Sequence, residues 1–152
     1  MSKYCGLLLI FMVIFCGCNQ QTDYSEATIL ELAGESDTWE LNGYEIKLTA
    51  YYFEAGNGIL TMKNTTDYLS NSFSYEVYAR IDDEDLLIHQ HHSSGAPVNI
   101  ALKDIGSIKG DELFIKEGTL NDVSDIYMKI EWEDFKGHSR VEQIRVEQID
   151  LH

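Results

Sequence analysis

The stretch Leu87-Ile88-His89-Gln90-His91-His92 holds three of the five histidines in the chain. On an extended strand, side chains two residues apart share a face. His89 and His91 are therefore expected to form a pair of imidazoles able to reach one Zn²⁺ or Cu²⁺, with His92 turned the other way. A metal site also needs a third ligand and outer partners that orient the imidazoles. The sequence offers none nearby except carboxylates that a sheet would have to bring across; the ordinary alternative is an exposed strand end. Asp82-Asp83-Glu84-Asp85 is a second cluster of ligand chemistry. It lacks the alternating ladder of an EF-hand loop, and successive side chains on a strand point apart. A solvated hairpin turn that blunts edge pairing suits it better than a Ca²⁺ site.

Signatures of catalysis are missing from the sequence. There is no G-x-S-x-G elbow and no H-E-x-x-H. Gly106-Ser107-Ile108-Lys109-Gly110 has glycines and a lysine but not the phosphate-cradling pattern. With 26 Asp and Glu, no single carboxylate pair is diagnostic of acid–base work. The chain is therefore expected not to be an enzyme. A third kind of chemistry is aromatic recognition. Tyr51 and Phe53 alternate with Tyr52, and Tyr78 alternates with Tyr75 and Val77. This makes Tyr51, Phe53 and Tyr78 a candidate face for stacking on a peptide or sugar ring.

The elements that must position these groups read as strands. Residues 44–53 alternate with Tyr44, Ile46, Leu48, Ala50 and Tyr52 on one side. Ala55-Gly56-Asn57-Gly58 is turn chemistry, and residues 59–63 are expected to complete a hairpin. Residues 73–81 place Phe73, Tyr75, Val77, Ala79 and Ile81 on one face. Residues 86–92 resume after the acidic turn, and 97–102 open on the only proline, which suits a strand start. Residues 112–115 form a short strand. Ile126, Met128, Ile130 and Trp132 share a face, and 140–149 is a strand entered by a hairpin turn. About eight strands, with nine tyrosines and many β-branched residues, predict an all-β fold. The expected architecture is an immunoglobulin-like antiparallel β-sandwich, with a small β-barrel as the alternative.

Charge and cysteine use bound the setting. Eleven Lys and Arg stand against 26 Asp and Glu, a net charge of −15. That balance excludes a nucleic-acid partner, whose phosphates demand a basic patch, and leaves a cationic protein or peptide as the sharper possibility beside plain solubility. Nothing in the sequence gives an oligomeric state. Met1–Lys3 supply a short positive start, and Cys5–Phe15 carry no charge. This is the layout of an export signal, and the run falls short of the roughly 20 apolar residues a spanning helix needs. Phe15-Cys16-Gly17-Cys18 resembles the lipobox of bacterial lipoproteins, with Phe15 in place of the usual leucine. The resemblance implies removal of residues 1–17, a covalent diacylglycerol on Cys18 as the only attached group, and lipid anchoring at the outer face of a cell membrane. Loss of Lys3 would leave ten basic residues against 26 acidic, or −16. No cysteine follows Cys18, so residues 19–152 have no disulfide to form.

The expected organisation is a signal peptide over 1–17, a tether over 18–33 with one helical turn near Ala27–Leu32, and one domain over 34–152. At Gly34, Glu35, Ser36 and Trp39 the chain resembles small, largely uncharacterised lipoproteins of Bacillus-like Gram-positive bacteria. In these a lipobox is followed by a short tether, a Gly-Glu-Ser-x-x-Trp opening and a β-sandwich. The resemblance covers the signal, this opening and the strand bearing Trp132, and implies a location and an architecture without a known activity. Trp39 is expected to be an aromatic plug on the first sheet.

Overall fold

A computed structural model describes residues 28–48, 52–111 and 123–149. These form ten strands: β1 (Thr28–Glu35), β2 (Trp39–Leu48), β3 (Tyr52–Gly56), β4 (Ile59–Met62), β5 (Leu69–Ile81), β6 (Glu84–Asn99), β7 (Leu102–Asp104), β8 (Ser107–Asp111), β9 (Val123–Glu133) and β10 (Ser139–Gln148). All belong to one sheet, ordered β6-β5-β9-β10-β1-β2-β3-β8, with β4 joining β2 to β7. The fold is all-β, and its eight-strand path is an antiparallel, nearly closed, barrel-like sheet. It is compatible with either a sandwich or a small barrel. β6 and β8 are the two ends of the path and are not hydrogen-bonded to each other.

The wall β5–β9–β10 follows from period-two alternation. Phe73, Tyr75, Val77 and Ala79 of β5 are buried, as are Ile126, Met128, Ile130 and Trp132 of β9. The register sets Phe73 opposite Trp132 and Val77 opposite Met128, so the two apolar faces coincide. Ile144 and Val146 continue the core across β10. A one-residue slip would turn every one of these side chains to solvent, which fixes the pairing.

Elsewhere the structure corrects the expected pattern. The run 44–53 is not one strand. β2 and β3 pair antiparallel with Leu48 opposite Phe53, so the chain doubles back and Phe53 and Ala55 join Tyr44 and Ile46 inside. Residues 55–58 do not close a hairpin either: β4 pairs with β2 and β7 rather than with β3. Residues 86–92 and 97–102 are not two separate strands. They contribute instead to one 16-residue strand, β6, in which Gly95 and Pro97 lie at a register shift opposite Ser70–Ser72. A bulge is where a strand tolerates a proline that cannot donate to the ladder. The glycine-bearing segment 106–110, to which the sequence assigned no element, contains most of β8. No helical turn follows Ala27: from Thr28 the chain is strand, paired with β2 and then β10, and Leu32 is buried. The sheet thus takes in residues 28–33, which the sequence assigned to a tether. Residues 1–27, including Cys18, and the short strand expected at 112–115 lie outside the described residues.

The Gly-Glu-Ser-x-x-Trp opening is the β1–β2 turn. Glu142 of β10 accepts hydrogen bonds there from Ser36 Oγ at 2.6 Å, from the Thr38 amide at 3.0 Å and from Thr38 Oγ1. Burial pushes the Glu142 carboxyl up, but the combined Ser36 and Thr38 hydrogen bonds outweigh it and hold the group below the usual range. Lys63 closes the turn from outside, donating to Ser36 O at 2.6 Å and pairing with Glu35 at 2.8 Å. Gly34 is required by close approach, because a Cβ there would lie 2.3 Å from the Arg145 carbonyl oxygen. Trp39 is fully buried, its ring 5.8 Å from Phe73 and 5.5 Å from Trp132.

Candidate functional site

The site begins with a bulge in β6. Val77 of β5 faces His89 and Tyr78 faces Leu87, so Ile88 is an extra residue on the β6 side. The bulge breaks alternation, and both Ile88 and His89 are buried. Bulges commonly re-aim a side chain in this way.

His89 sits between two tyrosines. Tyr44 Oη lies 3.2 Å from its Nδ1, and Tyr75 Oη lies 3.2 Å from its Nε2. Tyr75 gives its only hydroxyl proton to the Ile105 carbonyl at 2.7 Å. Nε2–H must therefore donate to Tyr75 Oη, leaving Nδ1 to accept from the Tyr44 hydroxyl. The result is a directed chain from Tyr44 through His89 and Tyr75 to Ile105. Burial, and then the nearby His91, lower the His89 pKa to about 4, which keeps the imidazole neutral as this chain requires. Burial and then Asp104 raise Tyr75 to about 12. Burial, then the adjacent Tyr75, raise Tyr44 far above the ordinary phenol range.

Next to His89 lies a cavity of about 170 Å³, lined among the described residues by Phe53, Leu87, Ile88, His89, Gln90, Ile108 and Gly110. It opens at the seam between β6 and β8, where the sheet fails to close. Leu87 and Ile108 stand at its mouth, 36% and 39% exposed. Lys109 of β8 points away from it, with Nζ 3.5 Å from the centre of the Tyr52 ring.

His89 and His91 do share a face, since both rings pack against Tyr75. His91 is exposed and stacks on Tyr75 at 5.6 Å, and His92 pairs opposite Ser74 on the other face. His89 could ligate a metal only by giving up a tyrosine partner. Among the described residues, no group of three His, Cys, Asp or Glu side chains is placed to hold an ion. The acidic stretch is a turn with Asp82 and Asp83 at positive φ (51° and 64°), followed by Asp85 paired to Arg80 at 2.8 Å.

The aromatic candidates separate. Phe53 is buried in the cavity wall rather than presented on an outer face, because the doubling back at β2–β3 resets its alternation. Tyr78 is half-buried on the outside, stacked 5.2 Å from Tyr127, and donates its hydroxyl to Glu76 at 2.8 Å. Tyr51 and Cys18 lie outside the described residues. A second, more open and polar cleft of about 830 Å³ lies at one rim of the sheet, where Arg145 and Asp125 approach to 3.4 Å. The sequence reading missed Tyr44, Tyr75, Ile88 and Ile108 as parts of one site. Tyr44 and Tyr75 are inward residues of clear strands, so an inward histidine beside them was the available signal.

Compared with known proteins, the chain matches no family model, no curated sequence and no solved structure. Fold and site alone define its class: a single rolled β-sheet with an apolar cavity at its open seam.

Proposed function

We propose that the protein is a membrane-anchored, extracytoplasmic lipoprotein whose β-body is a non-catalytic binding module, with the β6–β8 seam as its site. The observation that carries the binding role is the apolar cavity open between two strand edges, since concave apolar sites with few polar groups are the usual ligand sites. The non-catalytic reading is supported by the His89 chain. Both ring nitrogens of His89 and both phenols are occupied within the fold, so at the described seam His89 has no free nitrogen to take a proton from an incoming molecule. The anchor rests on the lipobox-like Phe15–Cys18 and on the resemblance to Bacillus-like lipoproteins. The net charge of −15 favours a cationic protein or peptide among macromolecular partners.

Membrane fractionation of tagged wild type and Cys18→Ser tests the anchor. Wild type is expected in the membrane at processed size, and Cys18→Ser as an unprocessed precursor or in the medium. Identical behaviour of the two would remove the lipoprotein reading.

A further inference from the structure

We propose that the seam cavity binds a small, uncharged, apolar molecule of about the size of one aromatic ring. This names a ligand class for the site above and rests on that reading of the seam.

Size comes first. A dry cavity of roughly 150 Å³ lined by Leu, Ile and Phe is large enough to hold benzene, and the seam cavity is about 170 Å³ with Phe53, Leu87, Ile88 and Ile108 in its walls. Charge comes second. Among the described lining residues the only ionisable side chain is His89, whose two nitrogens are already bonded to Tyr44 and Tyr75. The nearby Lys109 ammonium lies over Tyr52 instead. A carboxylate or ammonium entering here would lose water and gain no partner, which strongly disfavours it. The shape of the edge comes third. Strand addition needs an uninterrupted row of backbone groups. β6 is interrupted by its bulge at Leu87–His89 and begins with Glu84 and Asp85. Bulges and edge charges discourage an added strand, whereas the same bulge puts Ile88 into the cavity wall. The geometry admits a molecule into the seam more readily than a strand along it.

The test is methyl NMR on the full chain in lipid nanodiscs, with ¹³C-labelled Ile and Leu methyls. Toluene is supplied at fixed activity through the vapour phase; sodium benzoate and a hexapeptide of alternating valine and lysine are the other probes. Toluene is expected to move the Leu87, Ile88 and Ile108 methyl signals saturably, and benzoate to leave them in place. Ile108→Trp, which fills the mouth, is expected to weaken toluene binding roughly tenfold. Leu87→Glu, at an exposed position that tolerates charge, should weaken it too and serves if the first variant does not fold. Absence of a saturable toluene shift, or an equal response to benzoate, overturns the proposal. If toluene fails while the hexapeptide shifts β6 and β8 amides, the ring-sized ligand falls and the seam remains a binding site. If neither probe acts on the seam, both readings fall.

Discussion

The wall of β5, β9 and β10 and the seam between β6 and β8 are built from the same kinds of residue to opposite ends. In the wall every strand has two neighbours, and the inward row from Phe73 to Ala79 stands in continuous register with that from Ile126 to Trp132. At the seam each strand has one neighbour in the sheet path, a bulge turns two consecutive residues inward, and the space beside them is left open. The wall spends its apolar residues on closure, while the seam leaves Leu87 and Ile108 half in water. An apolar side chain at a mouth contributes less to stability than one in a closed core.

Perturbing the seam and the core packed on the wall should show that contrast, the largest effect lying where Trp39 of β2 meets Phe73 and Trp132 of the wall. Trp39→Ala removes the ring lodged between Phe73 and Trp132 and is expected to cost about 3–5 kcal/mol, whereas Ile108→Ala at the seam should cost about 1 or less. Urea titrations followed by circular dichroism compare the two. Comparable losses would mean the seam is as much core as the wall.

Gly34→Ala comes next, at about 1–3 kcal/mol, because its methyl would press on the Arg145 carbonyl and force β1 away from β10. An unchanged thermal midpoint would show that the two strands separate freely.

Tyr44→Phe leaves His89 Nδ1 buried without its donor and is expected to cost about 1–3 kcal/mol. Combining it with His89→Leu should recover part of that, because an apolar pair has no unmade bond to penalise. A double variant no more stable than the single one would argue against the hydrogen-bond chain.

The last effect, spread over a pH range instead of concentrated in one midpoint, is pH dependence. His89 titrates near 4 in the fold and near 6.5 when unfolded. Between these values the unfolded chain holds the extra proton, so this stabilisation is complete above about 6.5 and declines as pH falls towards 4. Urea midpoints across that window should therefore slope more steeply in wild type than in the Tyr44→Phe/His89→Leu variant. Parallel slopes would place the titrating group elsewhere.

How much could be read without coordinates follows the same division. Alternation identified both faces of β5 and β9 and the strand character of β10, since a half-buried strand writes its orientation directly into the sequence. It misplaced Phe53, because β3 runs back antiparallel to β2 instead of continuing it, and nothing between Leu48 and Phe53 is glycine or proline to announce the reversal. It also split β6 at Gly95 and Pro97, which here mark an irregularity in a continuing strand. The His89–His91 pair was visible as chemistry with its surroundings missing. A bulge depends on the partner strand's register, which one segment cannot reveal, so Ile88 and His89 turning inward together was hidden. Tyr44 lies 45 positions before His89, and only sheet order brings them together.

The edge-to-face contact of Trp39 with Trp132 has a practical side. These are the only two indoles in the chain, and both are buried within one cluster. Intrinsic fluorescence therefore watches a single spot, beside the β1–β2 turn and separated from His89 by the rings of Phe73 and Tyr75. An emission-detected melt would report when that spot loosens and say little of fraying at the β8 edge. A guest settling beside Phe53 could go unseen by the instrument most laboratories would try first.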